Sequence, residues 1–72
     1  MDWQVNADML EGIVVEGLQL APPDAFDLFL DQAKIHREAA LERGFSPEAA
    51  EQMAVALHSG LVALYFTSAA DQ

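Results

Sequence analysis

The chain contains no cysteine. Disulfide staples and thiolate metal sites are therefore excluded. Basic residues are nearly as scarce: Lys34, Arg37 and Arg43 stand against 12 acidic residues, for a formal net charge of −9. With no basic stripe to displace counterions, direct nucleic-acid binding is not expected. The same deficit argues against an anionic membrane surface. The longest unbroken apolar run is Leu61 to Phe66, far short of the roughly 20 residues of a membrane span. No basic residue precedes the first apolar segment, so no secretory leader is expected and the expected location is cytoplasmic.

Catalytic and ligand-binding constellations are also missing. Asp27 and Asp31 are i, i+4 carboxylates on what reads as the wet face of a helix, with no pocket to separate their pKa values. Ser46 has no His or acid arranged as a triad. Gly12 and Gly17 match neither dinucleotide nor Walker spacing. His36 and His58 have no metal-ligand spacing, and hairpin geometry sets them roughly 9 Å apart along the helices. His58, on an otherwise apolar stretch, reads as a hydrogen-bonded core or interface residue. No enzyme activity, catalytic residue, cofactor or metal is expected.

What remains is apolar and acidic. Hydrophobic residues make up 53% of 72 residues. A domain this small buries only about 60% of its unfolded surface, so support from oligomerisation or from a larger partner is expected. The acids are unevenly placed: Asp2, Asp8, Glu11, Glu16, Asp24, Asp27 and Asp31 precede the first basic residue.

The chain is organised around Arg43-Gly44-Phe45-Ser46-Pro47-Glu48. Gly44 suits the position just past a helix end, where φ turns positive. Arg43 opposes the negative end of the macrodipole. Phe45 can fold back on the helix it leaves. Ser46 is a good N-cap and Pro47 fits the first helical position. Two helices joined so tightly run antiparallel.

Read in order, Trp3 is a packing staple or a contact anchor, and Asn6 can cap a first helix. Met9, Leu10, Ile13, Val14 and Leu18 give a helical stripe over residues 7–20. Gly12, Gly17 and the β-branched run Ile13-Val14-Val15 leave a strand at 14–20 as the competing reading. The small Gly12 and Gly17 allow another backbone to come close. Pro22-Pro23 ends this element and Asp24 caps the next. Helix 2 spans 25–43, with Phe26, Phe29, Leu30, Ala33, Ala40 and Leu41 inward and Asp31–Lys34 and Lys34–Glu38 pairs on the surface. Helix 3 spans 47–67, followed by a fraying tail. Its first stripe is Ala50, Met53, Ala54, Leu57, Leu61 and Leu64. A second stripe, Val55, Val62 and Phe66, is turned away from the first. A helix apolar all round is buried on more than one side, and two other helices cannot cover it.

The segment from Gly44 to Ala50 resembles the loop and second helix of ubiquitin-associated domains, which carry Met-Gly-Phe or Met-Gly-Tyr there. Here Arg43 stands in place of the Met, both helices are longer and the third-helix pattern is missing, so ubiquitin binding is not carried over. The overall plan is similar to short acidic helical proteins encoded by phages and other mobile elements of high-GC bacteria, in which an Arg-Gly-Phe-Ser/Thr-x-Glu-x-Ala hairpin joins two helices. That resemblance implies a protein that acts by binding one host or virion protein.

The expected fold is all-α: one domain over 1–72, three helices built on an antiparallel hairpin and completed by oligomerisation. The expected function is a non-enzymatic protein–protein interaction module, such as a modulator or adaptor, and the expected state is a homodimer. The interface is expected to use Val55, Ser59, Leu61, Val62, Tyr65 and Phe66. The acidic residues Asp8, Glu11, Glu16, Asp24, Asp27 and Asp31 would face a partner with a basic surface. The alternative is a nucleic-acid mimic that blocks a basic DNA- or RNA-binding groove. If helix 3 is the interface, Leu61→Asp or Val62→Asp is expected to halve the sedimenting mass while helicity persists.

Overall fold

The structure, a computed structural model, describes residues 7–70. They form three helices in an all-α arrangement: α1 (Ala7–Leu18), α2 (Pro22–Glu42) and α3 (Pro47–Ala70). The most extensive packing joins α2 to α3, and α1 lies against both. Trp3 and Asn6 lie outside the described residues, as does the side chain of Asp8.

The α2–α3 turn is built as its residues dictate. Arg43 is the C-cap of α2, and Gly44 takes φ +92, a value open to glycine because it lacks a Cβ. The Gly44 N–H donates to the Leu41 carbonyl at 3.1 Å and the Phe45 N–H to the Ala40 carbonyl at 3.1 Å. This pair of bonds is a Schellman motif, which satisfies two carbonyls the helix leaves open. The Arg43 guanidinium donates to the Ala39 carbonyl at 3.1 Å, which also accepts the Arg43 N–H at 3.2 Å. On the other side, Ser46 Oγ accepts from the Ala49 N–H at 3.1 Å, the N-cap bond that Ser supplies at a helix start.

The first connection differs from expectation. α2 begins at Pro22, with Pro22 and Pro23 as its first residues and Ala21 as the N-cap, which offers no side-chain bond. The Ala25 N–H already donates to the Ala21 carbonyl at 2.9 Å. Proline fits here because the first amides of a helix have no intrahelical partner to lose. Asp24 is therefore an acid in the first turn and not the cap. α1 is helical through Leu18, so the strand reading of 14–20 is excluded, and Gln19 and Leu20 turn the chain through bonds to the Glu16 and Gly17 carbonyls. At the other end α3 continues through Ala70, three residues beyond expectation. The surface pairs expected at Lys34 do not form among the described residues; the ion pair present is Arg37–Glu51, 3.7 Å apart, between α2 and α3.

The core comes from all three helices. Val14, Ala25, Phe29, Leu57, Leu61 and Tyr65 are buried together, and Ala40 and Ala50 are buried as well. Phe29 is central. Its ring centroid lies 5.6 Å from that of Tyr65 and 6.3 Å from that of Phe26. Phe26 in turn sits 5.5 Å from Tyr65 and 6.0 Å from Phe66, so four aromatic rings join α2 to the C-terminal part of α3. Edge-to-face pairs of this kind add about 0.5–1.5 kcal/mol each beyond burial. Leu30, expected on the inner face, is exposed: one residue past Phe29, it points roughly 100° round the helix.

Gly17 is buried, and a Cβ placed on it would lie 2.9 Å from Phe29 Cζ. The Phe29 ring is fully buried and cannot swing away. A Cβ on Gly12 meets nothing within 4 Å. The close approach expected of both glycines is thus made by Gly17, and by a ring from α2. Gly12→Ala is expected to raise stability by about 0.5–1 kcal/mol through helix propensity. Gly17→Ala should lower it by about 1–3 kcal/mol through overpacking. Urea unfolding midpoints that move in opposite directions will check both.

Candidate functional site

The packing of three helices defines the site. Each helix lies against the other two, so the side that faces its neighbours is covered and the far side is left to solvent. The chain measures 40 × 22 × 14 Å along its principal axes.

For α3 the covered side is Ala50, Leu57, Leu61 and Tyr65, all buried against α1 and α2. Two of the expected interface residues are therefore corrected: Leu61 is fully buried and Tyr65 is 8% exposed, so both are core side chains of this chain. Position 61 lies in the stripe that begins at Ala50, and Tyr65 follows it by one turn. An Asp at Leu61 would unfold the chain rather than report on an assembly. The other four expected positions share the opposite face. Val55 is 65% exposed and Phe66 58% exposed. Ser59 is exposed between them, and Val62 is half-buried at the margin of the core. Ala56 and Ala63, both exposed, flank this row.

The face is uncharged over most of its length. The 19 residues from Gln52 to Ala70 include no Lys, Arg, Asp or Glu. The charges of α3 are Glu48 and Glu51, in its first turns. There the surface dips into a shallow depression of about 440 Å³ lined by Glu48, Glu51, Gln52, Val55 and Ala56. By length and composition α3 qualifies as a membrane-spanning helix, and 17% of its most apolar stretch is buried in the fold. An unbroken-run criterion misses this, because the scattered Ser, Gly, His and Thr are only mildly polar interruptions.

The acidic residues expected to meet a basic partner are placed on the surface. Glu11, Glu16, Asp24, Asp27 and Asp31 are all exposed, and among the described residues none of them forms an ion pair. Groups of three or more His, Asp or Glu able to hold a metal are not found among the described residues. His58 differs from its expected role: its Nδ1 is buried without a hydrogen-bond partner. Such a group costs about 1–3 kcal/mol. Sequence reading placed His58 on an apolar helix and could not see that no acceptor or donor reaches it.

No protein-family model matches the chain, and no curated protein or solved structure is significantly similar to it.

Buried and exposed apolar side chains should respond differently to truncation. Leu61→Ala removes a fully buried side chain and is expected to cost about 2–5 kcal/mol. Ile35→Ala, at a side chain 56% exposed on α2, should change stability by no more than about 0.5 kcal/mol. Chemical denaturation of the two variants gives the comparison.

Proposed function

We propose that this chain is a non-enzymatic protein–protein interaction module that binds through the outward face of α3. The observation that carries this reading is Val55 and Phe66 standing exposed in a 19-residue stretch without a charged side chain. Large apolar side chains held in water on one face of a folded helix are stabilised when a partner covers them. Neighbouring small residues, Ala56, Ser59 and Ala63, let a second helix come close. A chemical role finds less support: the depression at the start of α3 is shallow and open, and its two carboxylates have no histidine, hydroxyl or amine beside them.

The exposed acids on α1 and α2 supply a second property. They give the rest of the molecule a strong negative field, which speeds encounter with a basic surface and disfavours acidic ones. A modulator or adaptor of the kind made by phages and other mobile elements fits this combination of a small size, one sticky face and a single sign of charge. Such a protein works in the cytoplasm by occupying a surface of a larger one.

The test is capture from cells that encode the chain. Immobilised wild type is expected to retain a protein that Val55→Asp/Phe66→Asp does not, with circular dichroism showing the same helicity in both. A wild type that retains nothing, or a captured protein held equally by the variant, would refute the module.

A further inference from the structure

The outward row of α3 has an internal symmetry that bears on what covers it. Val55, Ser59, Val62 and Phe66 follow one another at spacings of four, three and four residues, and Gln52 and Ala69 extend the row at each end. This is the seam of a coiled coil, where alternate spacings of three and four keep one stripe facing a partner helix. Read in the reverse direction, the row has the same spacings. A second copy laid antiparallel, with a two-fold axis level with the Gly60–Leu61 peptide, brings Val55 opposite Phe66, Ser59 opposite Val62 and Gln52 opposite Ala69. Each layer then sets a larger side chain against a smaller one.

The helix dipoles decide between orientations. Glu48 and Glu51 are the carboxylates of α3. A parallel pair would set Glu48 and Glu51 of both copies side by side and align the two helix dipoles. An antiparallel pair opposes the two helix dipoles and sets Glu51 at Ala70 of the other helix, one residue before its Asp71. Along the contact itself, from Gln52 to Ala69, neither copy carries a charged side chain. The surface shape agrees. The depression lined by Glu48, Glu51, Gln52, Val55 and Ala56 has its apolar end, at Val55 and Ala56, where the register places the phenyl ring of Phe66 from the other copy, and that ring is 58% exposed in the single chain.

Resting on the interaction reading above, we infer that the outward face of α3 binds a second copy of this chain in an antiparallel, two-fold symmetric pair, with Phe66 of each copy seated at Val55 of the other. The contact is isologous: one patch serves both copies, and the assembly closes at two.

The chain has no cysteine of its own, so introduced thiols report the register directly. Wild type is expected to sediment as a dimer at micromolar concentration. Val55→Asp and Phe66→Asp should each weaken it at least about tenfold, with helicity retained. Val15→Asp and Ile35→Asp, at exposed apolar positions on the other helices, should leave the mass unchanged. Under mild oxidation, an equimolar mixture of Gln52→Cys and Ala69→Cys chains should give disulfide-linked dimers joining one of each. Neither variant alone should cross-link, because like positions lie roughly 25 Å apart along the pair. Cross-linking of either variant alone, with none in the mixture beyond it, would overturn the antiparallel register. A wild type monomeric at hundreds of micromolar would overturn the pair altogether. If that monomer still retains another protein, or binds phosphatidylcholine vesicles, through Val55 and Phe66, the occupant is that protein or the lipid and not a second copy. Retention of another protein leaves the interaction reading standing, whereas a monomer that binds nothing through this face removes both.

Discussion

The ring of Phe29 fills the space that a Cβ on Gly17 would need, and its centroid lies 5.6 Å from that of Tyr65. One side chain from α2 thus fixes the distance to α1 and the distance to α3. Phe29 and Leu61 are fully buried, and Val14 nearly so. In a chain this small there is little other buried bulk to share the task. α1 is a short helix with two glycines and a β-branched run, a poor helix by propensity alone. Its conformation depends on docking, as most helices in proteins do. The contact with Phe29 is what gives it something to dock against.

The hairpin turn acts at a different level. Gly44, the two Schellman bonds and the Ser46 cap close one helix and open the next within four residues. These are local interactions, satisfied whatever the rest of the chain does. Their consequence is global, because α2 and α3 are held side by side and α1 is left to pack against both. The inner side of α3 gains a core in Leu57, Leu61 and Tyr65. The outer side gains only marginal contacts, Phe66 with Phe26 and Val62 with the edge of the core. The exposed apolar row is therefore a product of the architecture and not a failure of packing.

The proposed function rests on the contrast between the two sides of the same helix. Acidic side chains are spread over α1 and α2, while α3 beyond Glu51 is uncharged. The proposed pair rests on that contrast: its stripe is free of charge and keeps its four–three–four spacing when reversed. The unpartnered Nδ1 of His58 has no place in this account, and the structure offers no physical explanation for it.

Much of the fold was legible in the residues themselves. Cap, stop and start signals act through the backbone nearby, so Gly44, Ser46 and Pro47 declare their roles in sequence. Apolar spacing likewise shows that α3 has two stripes. What the sequence by itself determined was three helices, one antiparallel turn and an excess of apolar surface on the last helix. The tertiary structure decided which stripe faces inward. Leu61 and Tyr65 turned in towards the core around Phe29, while Val55 stayed out and Phe66 remained more than half exposed beside Phe26. It also decided that Pro22-Pro23 begins α2, since either proline can end one helix or start the next. Which glycine serves as a contact was settled in the same way: Gly17 faces Phe29 and Gly12 faces open space. These choices depend on which element lies across from a residue, and periodicity along one helix carries no information about its neighbour.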